Sequence, residues 1–294
     1  MRIERIYVQK FYFSKVLGAG FIIAVIMLTN SCVSHPPKHD TQAFGAIGTE
    51  ADMYVFAPVY GNEPLLQTVL TAFVPEKTAA QYLDRTSALY IGAEYGAVPS
   101  VTVISTGSYP TSLGDLLFSK KDGWEKHKAT ALSNTSYYSS AVADILMRER
   151  TAFMLLGTEQ RNTAAFLQHI ADPHPPIFPP RFQALPESGS IGEIGLYTRS
   201  GSRLITAMLG LDGVDLPIRS IELYLKKNID SVYQCSAAFE AVDARSALVI
   251  RSLLSRSMAG EFSVQGSSVF VENADITEKE LIKLLQGVFA AYHF

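Results

Sequence analysis

Six prolines stand within residues 171–190, and they divide the chain. The stretch reads ADPHPPIFPPRFQALPESGS, with prolines at 173, 175, 176, 179, 180 and 186. Proline has no amide donor and a locked φ, so neither helix nor sheet propagates through such a density. A stiff, extended spacer is expected there. Folded structure is therefore expected on either side, as one lobe over 45–170 and another over 191–294. Phe178 and Phe182 predict that the spacer lies against a lobe surface.

The two sides carry the same elements in the same order. Gly45-Ala46-Ile47-Gly48 precedes an expected strand at 52–56, and Gly189-Ser190-Ile191-Gly192 precedes one at 194–198. Helical patterns follow at 62–74 and 202–211, with Asn62 a candidate N-cap and Pro64 in the first turn. Strands recur at 88–91 and 222–225, then at 100–105 and 231–239. Second helices are expected at 112–119 and 243–255, late strands at 152–156 and 268–272. Amphipathic helices close each side, at 159–170 and 277–289, the latter opening with a Thr277/Glu280 capping box. Elements repeated in one order point to an internal duplication. The class is α+β, with each copy reading β-α-β-β-α-β, the ferredoxin-like arrangement, in tandem. Short alternating strands fit mainly antiparallel sheets with helices on one face.

The copies differ by an insertion in the first, at 120–150. It holds Lys120, Lys121, the single tryptophan Trp124, His127, Tyr137 and Tyr138. Aromatic side chains with basic neighbours fit a candidate partner-binding surface, since such residues dominate interface hot spots. An extra hairpin with Trp124 packed on its own lobe accounts for the same residues.

The amino end has another character. Arg2, Arg5, Lys10 and Lys15 precede an uncharged, mostly apolar run at 16–29 (VLGAGFIIAVIMLT), and Leu28-Thr29-Asn30-Ser31-Cys32 follows at once. This is the three-part layout of a secretory signal. A spanning helix needs about 20 apolar residues, more than this run supplies. The polar stretch VSHPPKHDTQ after Cys32 contains a Pro-Pro pair that stops any helix. The segment resembles the signal of bacterial lipoproteins. Leu28 lies four places before Cys32 where the usual lipobox has leucine at three, which is similar to the relaxed lipoboxes of spirochaetes. The resemblance implies removal of residues 1–31, lipid on Cys32, and a polar tether over 32–44 that spans at most about 40 Å. It implies a membrane partner and a place in the bacterial envelope, with the leaflet left open. Several acyl chains at about 0.8 kcal/mol per buried methylene would hold the protein there durably.

Without the leader's four basic residues and one acidic residue, the formal charge moves from −3 to about −6. No basic run remains of the kind nucleic acid requires, so no nucleic-acid partner is expected. The second cysteine, Cys235, sits in an alternating stretch and reads as a small buried hydrophobe.

Chemistry is sparse. His169, Asp172 and His174 are neighbours, but their spacing fits no zinc pattern, and no metal or cofactor is expected. There is no G-x-S-x-G elbow or S-x-x-K. The glycines at 45–48 and 189–192 precede strands, whereas a phosphate loop follows one. The pairs Asp122/Glu125 and Asp212/Asp215 read as solvated turn residues. No catalytic residue is assigned. A non-enzymatic scaffold, assembly or binding lipoprotein is expected, with an envelope protein as a candidate partner. A tethered envelope hydrolase and a small-ligand binder, each with its site between lobes, are the alternatives.

Overall fold

The computed structural model describes residues 43–71, 76–94, 98–111, 114–133, 135–148, 150–158, 160–187, 192–209, 215–228, 232–257 and 259–283. Cys32, nearly all of the tether and residues 284–289 of the last expected helix lie outside them. Two compact units emerge. Of the described residues, those within 43–49, 66–91 and 96–176 form the first, and those within 50–65, 92–95 and 177–283 the second.

Along the first half the elements are α1 (Ala43–Ile47), β1 (Met53–Pro58), α2 (Glu63–Thr71), α3 (Glu76–Leu83), β2 (Thr86–Glu94) and β3 (Ser100–Gly107). There follow α4 (Gly114–Leu117), β4 (Glu125–Ala129), β5 (Thr135–Ser139), β6 (Ala143–Arg148), β7 (Thr151–Gly157) and α5 (Thr163–Ala171). The second half holds α6 (Pro180–Ala184), β8 (Glu193–Thr198), α7 (Gly201–Leu209), β9 (Ile218–Lys227) and β10 (Val232–Ala241). It continues with α8 (Ala244–Ser257), β11 (Glu261–Gln265) and β12 (Ser268–Thr277). The fold is mixed α+β and built on antiparallel sheet.

In the first unit the strand order is β2-β3-β7-β6-β5-β4. Tyr90, Ile104 and Leu146 are fully buried, each stabilising by about 1.5–3 kcal/mol. Helix α1 is buried along its whole length, and Phe44 meets the edge of Tyr90 at 5.1 Å. Gly45 within it and Gly48 just after it are both needed. A Cβ on Gly45 would stand 2.9 Å from that of Pro173, and Gly48 has φ +89° with the His169 ring 2.5 Å from where a Cβ would be. The first glycine motif is therefore a packing device.

One buried ion pair joins the insertion to α5. Arg161 donates from Nε and Nη2 to Asp144 at 2.8 and 2.7 Å. Its remaining donors reach the carbonyls of Ser140, Ala141 and Thr158 and the Ser139 hydroxyl. Thr163 donates to the same carboxylate from the first turn of α5. Both charged side chains are at most 4% exposed, so the pair stands only because these hydrogen bonds replace water.

In the second unit the order is β11-β12-β10-β9-β8-β1, and all five pairings are antiparallel. Asn62, fully buried, ties three segments together. It donates to Pro58 O and Gly192 O and accepts from the Tyr233 hydroxyl. The proline-rich stretch ends in α6, which lies on β8: a Cβ on Gly195 would fall 2.2 Å from Leu185. Phe182 is 0% and Phe178 7% exposed, packed with Tyr54 and Tyr197. Arg181 lies 3.8 Å from the centre of the Tyr224 ring and reaches Glu193 at 2.9 Å.

The sheets correct the ferredoxin-like expectation. A split β-α-β unit sets its two helix-linked strands parallel with another strand between them. Here the excursion through α7 returns to the same end of the sheet, with Thr198 facing Ile221, and β9 pairs directly and antiparallel with β8. Alternation along a strand specifies which face each residue takes. It does not specify which strand lies alongside, or in which direction.

Replacing Arg161 with Met leaves Asp144 buried and unpaired, and should cost about 3–5 kcal/mol in urea unfolding. Arg161→Met combined with Asp144→Leu should recover much of that loss. A single-variant loss below about 1 kcal/mol, the range of exposed pairs, would mean that the pair does not hold the insertion.

Candidate functional site

The insertion begins with a 3-10 turn, Lys120–Asp122, that Gly123 ends in the left-handed conformation. The β4–β5 hairpin then pairs Lys126 with Tyr138 and His127 with Tyr137. Successive side chains on a strand alternate faces, so the candidate residues separate. Trp124 is 1% and Tyr138 6% exposed. Both pack against Phe118, Trp124 edge-on at 4.9 Å and Tyr138 tilted at 4.7 Å, and the Trp124 indole N–H is buried with no acceptor among the described residues. Tyr138 donates to Asp115 at 2.8 Å, and Lys126 donates to both oxygens of that carboxylate. The opposite face carries His127 stacked on Tyr137 at 5.2 Å, with Glu125 3.7 Å from the imidazole. The structure thus brings the four candidates onto one hairpin, with Trp124 and Tyr138 forming its packed side and His127 and Tyr137 its half-exposed side.

Hydrogen bonds from Lys126 and then Tyr138 hold the Asp115 carboxyl below its usual range, while burial and the Asp115 bond push the Tyr138 hydroxyl up. His169 lies against Gly48, whereas His174 turns to the carbonyl of Asp172. Among the described residues no cluster could hold a metal ion. Asp215 accepts from Ser202, and Asp212 lies outside the described residues. Cys235 is buried, which pushes its thiol up to about 11.

The sequence reading passed over a surface on α8. The helix packs on β10, β11 and β12 through Ala247 and Ile250, which are 0% and 2% exposed. Leu248, Val249 and Leu253 remain 59%, 56% and 47% exposed. The helix ARSALVIRSLLSRS carries Arg245, Arg251 and Arg256 and no acidic residue. Asp243 caps it, accepting from the Ser246 amide at 2.7 Å. The signal in the sequence was the run Leu248-Val249-Ile250 with Leu253-Leu254, more apolar positions than one inward stripe uses. Among the described residues no helix is long and apolar enough to cross a membrane.

Two antiparallel α+β units with a lipoprotein-like leader define a class of envelope lipoproteins, and the comparisons narrow it. The family model described as "Outer membrane-associated lipoprotein TP0453" matches residues 38–282, and the chain belongs to that family. A curated relative, "Outer membrane protein TP0453" of Treponema pallidum (strain Nichols), is 27% identical over 274 residues, covering 92% of this chain and 94% of that protein. Crystal form III of TP0453 superposes with a TM-score of 0.71 at 25% identity, over 87% of this chain and 99% of that one. Crystal form I gives 0.67 at 25% identity, over 83% and 97%.

Asp115 makes the hairpin sensitive to acid. Because its folded pKa lies below the usual aspartate value of about 3.9, its contribution is complete above that value and is lost as pH falls through the lowered one. Urea stability followed by Trp124 emission should therefore drop more steeply into acid for the wild type than for Asp115→Asn. Parallel curves would remove Asp115 from this role.

Proposed function

We propose that the protein is a non-enzymatic scaffold or binding lipoprotein of the bacterial envelope, held at the outer membrane by lipid on Cys32. The observation that carries this is the match to an outer membrane-associated lipoprotein family, which begins just past Cys32 and runs to residue 282. Removal of residues 1–31 would leave the acylated cysteine as the amino end, with a short polar tether to the body.

The state of the interior supports a role without chemistry. Among the described residues the buried charged residues are Asp144 and Arg161, and they bind each other. A working acid or base needs a cleft and free valences, whereas these have neither. Partner contact then belongs to the surface. On the insertion we assign it to His127 and Tyr137, with Trp124 and Tyr138 supporting them from the packed side.

An internal duplication is also part of this reading. In the first repeat β2 and β3 are neighbours, α4 follows, and β7 returns beside β3 with β6 outside it. In the second, β9 and β10 are neighbours, α8 follows, and β12 returns beside β10 with β11 outside it. A β-strand and helix precede each set, and the β4–β5 hairpin is the part of the insertion at 120–150 that has no counterpart in the second repeat. Side-chain caps stand at both late positions: Asn162 Oδ1 accepts from Ala165 N, and Thr277 and Glu280 each accept from the other's amide.

Metabolic labelling with an alkynyl palmitate analogue tests the anchor. Wild-type protein should carry label and partition with membranes, and Cys32→Ala should lose both. Label retained on Cys32→Ala would overturn the assignment.

A further inference from the structure

We infer that the outer edge of β4 accepts one further strand from a protein partner, an extended segment with a carboxylate opposite Lys128 and a cation opposite Glu125. The inference rests on the reading of the insertion as a partner surface, and deepens it by naming the binding mode and the chemistry of the partner.

The edge supplies the backbone half of the argument. In the first unit the sheet ends at β4, which pairs with β5 alone among the described residues. A strand in that position has amides and carbonyls on one side that no neighbouring strand satisfies, a template for main-chain pairing. A polypeptide presents donors and acceptors at the matching spacing, whereas nucleic acid and lipid headgroups do not. The β3–β7, β7–β6, β6–β5 and β5–β4 pairings are all antiparallel, and an added strand in the same sense continues them.

Charge along β4 sets what the added strand must carry. Opposite residues on neighbouring strands share a face and lie close together, so their charges act pair by pair. Lys126 already donates to both oxygens of Asp115. Lys128, on the same face, is exposed and forms no ion pair among the described residues, so a carboxylate is favoured opposite it. Glu125 lies 3.7 Å from the His127 imidazole and stays mostly in water, so a cation is favoured opposite it. His127, stacked on Tyr137, offers a shelf that an aromatic ring of the partner extends. In the partner's own direction the order is acidic, aromatic, neutral, basic.

A second copy of the chain does not fit this edge. Antiparallel pairing of β4 with itself about Lys126, His127 or Lys128 sets lysine directly opposite lysine in each case, which is destabilising. The lysines that select a mixed-charge partner therefore also keep copies apart. Strand β11, at the edge of the second unit, reads EFSVQ with Glu261 as its single charge, and carries no comparable pattern.

Hydrogen–deuterium exchange of the full lipidated protein in detergent, titrated with peptides, tests the inference. The probe is Thr-Glu-Tyr-Thr-Lys-Val, and the control, Thr-Lys-Tyr-Thr-Glu-Val, exchanges its two charges. The probe should slow exchange in residues 125–129 and bind about tenfold tighter than the control, since two cross-strand pairs turn from attraction to repulsion. The double variant Glu125→Lys with Lys128→Glu, altered only at exposed positions, should reverse that preference. Equal binding of both peptides, no slowing by either, or slowing confined to residues 261–265 would overturn the inference. Slowing in 125–129 that grows with protein concentration alone would give the edge to a second copy and overturn it too. A probe N-methylated at its edge-facing amides should not bind. Binding kept by that probe, and lost in His127→Ala, would overturn strand addition while leaving the insertion a partner surface.

Discussion

The bidentate pair between Arg161 and Asp144 decides how the first unit is put together. Two charges removed from water destabilise a fold unless every donor and lone pair finds a partner. Here one guanidinium gathers the β5–β6 turn, the loop after β7 and the start of α5 around one carboxylate. The insertion is thereby clamped to the unit that carries it, and its aromatic side has a fixed floor to pack on. Asn62 performs the equivalent service in the second unit with neutral groups, joining the exit of β1, the approach to β8 and the start of β10.

Both hubs use up the polar groups they bury. Cys235 is sealed from solvent, and the Tyr82–Ser105 and Thr86–Tyr109 hydroxyl pairs are joined through Thr86, which donates to the Tyr82 carbonyl. On the outside the molecule leaves leucine and valine exposed beside arginine on α8 and an imidazole stacked on tyrosine in the insertion. The chain belongs to a family of outer membrane-associated lipoproteins.

Much of the local structure was legible because it depends on neighbours in sequence. Strand β10 alternates as its residues require, and the Thr277/Glu280 box forms with both reciprocal bonds. Features set by distant residues were not legible. The meander pairing, the edge strand β11 and the Arg161–Asp144 clamp depend on which segments meet, and period-two patterning is silent on that. Trp124 illustrates the division at one residue. Sequence left it either on a partner surface or packed within its own hairpin, and the turn at Gly123 places it beneath Phe118. For α8 the apolar residues were visible, but only the packing of Ala247 and Ile250 reveals which of the others remain outside.

Hydrogen–deuterium exchange on wild type and Arg161→Met tests most directly whether the buried pair holds the first unit together. The account predicts faster exchange in residues 143–148 and 163–171 of the variant, with the strands of the second unit unchanged. Unchanged exchange in both segments would contradict it.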